Sequence, residues 1–321
     1  MASKFSMKRA MDVLWPIIGL SAVGFSSWIL LRELKGLKLA DVGAGLAGLT
    51  PLNWLLAALS AAVAYSALAW YDQIALAHLG RRLPTRFVAL VSFTTYALAH
   101  NIGASVFSGA LVRYRAYSTR GLSAGEVGLL VAFCSMTFTL GNLLLGGLVL
   151  IIEPDLIRRV VNLPLAGGRA AALALLAPPW LYALGSLMHF RPLKIGDFEL
   201  VYPRPPIAAR QLCAGPLELL GAAGIIYFAL PAASNPGFLV VLGAFLASFT
   251  LALISHAPGG LGVLELTFIE IMPDAPQAQV LAALVVFRLF YLILPLLFAL
   301  VVVVRFERQR LGALFRLPTA K

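Results

Sequence analysis

Six stretches of this chain, residues 12–31, 52–78, 123–152, 168–188, 206–230 and 278–304, are long, apolar and nearly free of charge. A bilayer core about 30 Å thick is crossed by about 20 helical residues at about 1.5 Å each, and within hydrocarbon a helix satisfies its own backbone groups. The pattern predicts an all-α integral membrane protein, a single polytopic domain over residues 1–321 with short connections, the longest being 189–205. Composition agrees: 60% of residues are hydrophobic and 12% charged, where a soluble domain carries about 25% charged residues. The first run follows Lys4, Lys8 and Arg9. It is too long for a signal-peptide core and lacks a small-x-small cleavage site, so it reads as an uncleaved first span. Cys134 and Cys213 each lie in apolar sequence without a partner cluster, which argues against a disulfide framework or a zinc site.

Two further apolar stretches, 84–112 and 237–270, are interrupted by polar and helix-breaking residues. They read His100-Asn101-Ile102-Gly103-Ala104-Ser105 and Ser255-His256-Ala257-Pro258-Gly259-Gly260-Leu261-Gly262. Sliding the chain on itself by 156 residues lays Ser92-Phe93-Thr94 on Ser248-Phe249-Thr250, His100 on His256 and Gly103 on Gly259. The same offset aligns all four apolar segments of 12–152 with those of 168–308, as expected of a transporter fold built from repeats. If the interrupted segments cross, the protein has eight full spans. If they are re-entrant hairpins, it has six spans and the repeat is inverted.

Charge favours the second arrangement. The formal net charge is +11, and cytoplasmic loops are the ones enriched in Lys and Arg. With a cytoplasmic N-terminus and Arg288 set aside, eight spans divide the basic residues 14 inside to 10 outside, whereas two hairpins divide them 18 to 6. The expected architecture is therefore six spanning helices plus two opposed re-entrant hairpins, with both termini in the cytoplasm. The hairpin tips are expected to meet near the midplane, because irregular backbone at that depth needs protein or a water-filled cavity around it. The basic excess then reads as a topology signal and a match to anionic lipid, not to nucleic acid.

An ionisable side chain within a span costs about 2.5–3.5 kcal/mol on insertion scales. The candidates are His100, Glu218, His256, Glu265 and Arg288, with Asp72 and Arg113 placed nearer an interface. Glu265 and Arg288 are expected to pair. The pair has two readings: a bridge that only fixes hairpin to helix, or a cation for an anionic head group with Glu265 holding it when the site is empty. The two tip histidines are either neutral groups bonded to freed carbonyls or proton-sensitive groups. Gly259, Gly260 and Gly262 permit a turn and leave N–H groups at a helix start, where anions bind. Arg113 and Arg115 read either as topology anchors or as guides for phosphate groups.

Two enzyme signatures are not found in the sequence: there is no HExxH and no clustered Lys, Arg and His set of a lipid-phosphate phosphatase. The stretch Ala257-Pro-Gly-Gly-Leu-Gly-Val-Leu-Glu265, the earlier Asn101-x-Gly103 followed by Arg113-x-Arg115, and Arg288 in the last span resemble the transmembrane flippase-like domain of the lysylphosphatidylglycerol synthase (multiple peptide resistance factor) family. The likeness covers nearly the whole chain and is to the membrane module alone, so the aminoacyltransferase activity is not carried over. It implies a bacterial inner-membrane protein that moves an anionic or aminoacylated phospholipid, or a polyprenyl lipid, between leaflets. No catalysis and no cofactor are expected, and the resemblance adds Asn101, Gly103 and Pro258 to the lipid-binding candidates. The alternative is a non-transporting subunit that scaffolds a lipid-modifying enzyme partner.

Overall fold

A computed structural model describes residues 43, 46–102, 105–161, 165–190, 193–195, 198–200, 202–255 and 262–315. The predicted first span at 12–31 and the tip residues Gly103, His256, Pro258, Gly259 and Gly260 lie outside the described residues. Each of the other apolar runs is helical. The helices are α1 (Pro51–His78), α2 (Thr85–Ile102), α3 (Ser105–Tyr117), α4 (Ala124–Ile152), α5 (Leu156–Val161), α6 (Leu165–Leu187), α7 (Pro205–Ala229), α8 (Phe238–Ser255), α9 (Val263–Ile271), α10 (Gln277–Phe287) and α11 (Leu294–Phe315), with a π-helical turn at Arg288–Ile293 joining the last two. Five of these units are long and apolar enough to cross a membrane, the last being Gln277–Phe306. Connection 189–205 holds a three-residue antiparallel ribbon, β1 (Leu193–Ile195) on β2 (Phe198–Leu200), which lies outside the spans.

The span boundaries follow from local chemistry. Thr50 and Asn53 form a reciprocal capping box at α1, with Pro51 in the first turn, and Ser123 with Glu126 does the same at α4. Such caps satisfy N–H groups that a helix start leaves without partners. Close helix crossings are built on glycine. A Cβ on Gly215 of α7 would fall 2.5 Å from the Thr137 carbonyl oxygen of α4, and one on Gly221 would fall 2.7 Å from the Ala64 nitrogen of α1. Small residues at these points let backbones approach, which is how membrane helices gain packing energy when burial of apolar surface drives little. α7 becomes the most enclosed span, while Leu55, Leu129, Trp180, Leu266 and Phe298 point outward as a lipid-facing surface requires.

α2 and α3 form a hairpin. In one straight helix residues 95 and 109 would lie about 21 Å apart. Instead a Cβ on Gly109 would sit 3.3 Å from the Thr95 methyl group, the Arg113 guanidinium lies 4.7 Å from the Tyr96 ring centre, and the rings of Phe87 and Tyr117 are 6.0 Å apart. The chain enters and leaves on one side.

α8 and α9 pack together in the same manner. Short helix α5 touches both open ends: a Cβ on Gly243 of α8 would meet the Leu156 side chain at 2.7 Å, and Arg159 donates to the Ile271 carbonyl at the end of α9, 3.1 Å away. The hairpins are opposed, because the first is tied by Arg81 to Glu126 at the start of α4, 2.7 Å away, and the second by α5 just past its other end. α4 has 29 residues, so the two attachments are separated by about 43 Å along the helix. Eight full spans do not describe this arrangement. Its basic residues gather on the face where the first hairpin enters: Arg81, Arg82, Arg86, Arg120, Arg204 and Arg305 lie at that end.

Candidate functional site

The site forms around a break in the last span. Pro295 has no N–H to give the Tyr291 carbonyl four residues earlier, and the helix widens here into the π turn Arg288–Ile293, where the Leu294 N–H reaches back to the Leu289 carbonyl. Such turns free carbonyls and concentrate at functional positions. The Tyr65 hydroxyl of α1 donates to the Tyr291 carbonyl at 2.9 Å. Asn101, at the end of the first hairpin's leading arm and buried, donates through Nδ2 to the Leu292 carbonyl at 3.2 Å and to the Ala97 carbonyl at 2.8 Å. The sequence offered a histidine for such freed carbonyls; Asn101 fills that place.

His100 stacks on Tyr291 with ring centres 5.1 Å apart and meets Phe249 of α8 edge-on at 6.3 Å. His100 thus contacts an arm of the second hairpin and the π turn together; the second tip, which the sequence expects to meet the first, lies outside the described residues. Among the described residues His100 Nδ1 has no hydrogen-bond partner.

Arg288 opens the π turn. Its Nη2 lies 2.6 Å and its Nε 3.0 Å from Glu265 Oε1, while Glu265 Oε2 accepts the Gly262 N–H at 2.9 Å. Glu265 therefore performs two tasks, holding the guanidinium and capping the start of α9. Gly262 has φ of 77°, a left-handed conformation that other residues adopt only at a cost of about 1–2 kcal/mol. The pair expected from the sequence is formed. Its partners differ in access: the arginine side chain is 4% exposed and the glutamate 19%.

Arg113 departs from its reading as a guide for phosphate groups. It is not open to a phosphate path, because the hairpin folds α3 back along α2 and buries the guanidinium against Asp72 of α1. Nη2 lies 2.7 Å from Oδ1 of Asp72, Nε contacts both carboxylate oxygens, and the Tyr117 hydroxyl donates to Oδ2 at 2.7 Å. Asp72 is likewise buried within the protein, six residues before the end of α1. Arg115, two residues on, is half-buried on α3. The sequence flagged Glu218 without giving it a role; it is buried in the middle of α7 and its Oε1 accepts the Tyr291 hydroxyl. Pro295 was the available signal for the π turn that brings Tyr291, Arg288 and Leu292 into these contacts.

No protein-family profile matches the chain. Over 235 residues it is 31% identical to the uncharacterized protein slr0712 of Synechocystis sp., covering 72% of each chain. Over 254 residues it is 30% identical to the inner membrane protein YbhN of Escherichia coli, covering 77% of this chain and 78% of that one. Five apolar spans, two opposed hairpins and this degree of shared sequence lead to one conclusion: the chain is a multi-pass membrane protein and belongs to the family that includes YbhN.

Proposed function

We propose that this protein is a flippase-like transporter that moves a phospholipid with an anionic or aminoacylated head group, or a related polyprenyl lipid, between leaflets without chemically altering it. The observation that carries the reading is the Glu265–Arg288 pair, a buried cation held by a carboxylate that is itself partly exposed beside a glycine-rich hairpin end. Dragging a charged head group through dry hydrocarbon is costly. A phosphate that replaces Glu265 on Arg288 keeps the guanidinium paired while the acyl tails remain in lipid. Helix starts and freed carbonyls at a broken span are also the elements from which membrane transporters build midplane sites.

The resemblance to the lysylphosphatidylglycerol synthase membrane domain belongs to this reading, and so does an inverted repeat. The offset of 156 residues sets α1, α2, α3 and α4 against α7, α8, α9 and the last span. The basic face is assigned to the cytoplasm by the positive-inside rule, which puts both termini there in a bacterial inner membrane.

Reconstitution into vesicles with fluorescent head-group lipids, scored by leaflet-selective quenching, tests the site. Arg288→Ala is expected to slow exchange at least about tenfold, the effect of losing about 1.4 kcal/mol of interaction in the rate-limiting state. Equal rates for wild type and variant overturn the assignment. Orientation is tested in a Cys213→Ala background: Ala233→Cys is expected to react with an impermeant reagent from outside and Thr119→Cys to be protected, and the reverse pattern overturns it.

A further inference from the structure

Two buried carboxyl groups, Asp72 and Glu218, and the partly exposed Glu265 lie within the described helices, and two of the three face arginine. Asp72 is held by Arg113 and Glu265 by Arg288. Glu218, 1% exposed in the middle of α7, faces no cation among the described residues. Its Oε1 accepts a hydrogen bond from the neutral Tyr291 hydroxyl, and its Oε2 is buried with no hydrogen-bond partner there.

The groups around it are also uncharged or already compensated. From α1 come Tyr65 and Tyr71, whose hydroxyls are given to the carbonyls of Tyr291 and, at 3.5 Å, Gly215. From α4 comes Cys134, directed at Asp72. The π turn contributes Tyr291 and the paired Arg288, the first hairpin contributes His100 stacked on Tyr291, and α8 presents Phe245 and Phe249. An isolated carboxylate in such surroundings bears a large desolvation cost that a proton removes.

We propose that Glu218 is a proton-binding site through which a proton gradient acts on lipid movement. The step is simple: a proton adds to the carboxylate, forming one O–H bond with no change of oxidation state, and it leaves when the region opens to water on the other side. The link to the lipid site is Tyr291. Its hydroxyl is bonded to Glu218 while its backbone belongs to the turn that begins with Arg288, so removal of the proton strengthens the Tyr291 bond and pulls on the element that carries the head-group cation. This rests on the proposed transport function for the coupling, though not for the proton site itself.

Two measurements separate the parts. In infrared difference spectra of the full chain in lipid nanodiscs, titrated in H2O and D2O, wild type is expected to show a protonated-carboxyl band that Glu218→Gln lacks and that Asp72→Asn and Glu265→Gln retain. A band unchanged in Glu218→Gln, or no band in wild type, overturns the proton site. In vesicles of phosphatidylethanolamine and phosphatidylglycerol, an imposed pH gradient is expected to drive labelled lipid to one leaflet at least about fivefold faster than without it. In Glu218→Gln the ratio is expected to fall to one. A ratio maintained in the variant overturns the coupling. If wild type moves no lipid under either condition while the band still depends on Glu218, the proton site stands and the transport function fails.

Discussion

The Asp72–Arg113 and Glu265–Arg288 pairs have the same chemistry and nearly the same distance, 2.7 and 2.6 Å, yet their surroundings differ. Asp72 is fully enclosed and also receives Tyr117 and Cys134, while Arg113 lies over the Tyr96 ring at 4.7 Å. Every part of that network ties the first hairpin to α1 and α4. Glu265 instead retains 19% exposure and divides its oxygens between Arg288 and a backbone N–H. A saturated, enclosed ion pair is a fastening, because opening it strands a charge in a dry interior. A pair whose acid reaches toward the outside has an exchangeable partner. In one protein, the difference between the two pairs rests on what else the carboxylate holds and whether water can reach it.

Variants can break this comparison, and Asp72→Ala is expected to have the largest effect. It leaves Arg113 buried without its counter-charge and should lower stability by about 3–5 kcal/mol, read as a large drop in the thermal midpoint in detergent. A midpoint close to wild type would show that Arg113 finds another partner and would remove the contrast. Arg288→Ala is expected to cost less, about 1.5–3 kcal/mol, the usual range for a hydrogen bond to a charged group, since the partly exposed Glu265 can rehydrate. Its main effect should fall on lipid exchange, so a stability loss equal to that of Asp72→Ala would make the second pair a fastening as well.

Gly262→Ala is the mildest of the three and sharpens the picture. The φ of 77° imposes about 1–2 kcal/mol of strain and should shift the α9 start that presents Glu265. Reduced exchange with a small change in thermal midpoint is the expected outcome, whereas unchanged exchange would show that the Gly262 turn does not govern the site.

Much of this was legible in the chain. Apolar length placed α1, α4, α6, α7 and the last span. The uneven basic residues pointed to hairpins, and the cost of charge in a span pointed to a Glu265–Arg288 pair. Asp72 and Arg113 were each seen, but not their union: they are 41 residues apart on different helices, and neither hydropathy nor charge reports which faces of two helices meet. Glu218 and Tyr291, 73 residues apart, were hidden for the same reason.

The sequence by itself determined that the chain lies in a membrane, how many segments are long enough to cross, and which face carries the positive charge. Those properties follow from transfer free energies and electrostatic bias that add along the chain, whatever its neighbours. Only the tertiary structure decided which ion pair is fully enclosed and which is partly exposed, and that Glu218 meets no counter-ion among the described residues. Pairing is a short-range matter, settled within a few ångströms by helix crossings at glycine, the fold-back at each hairpin, and the turn that Pro295 opens in the last span.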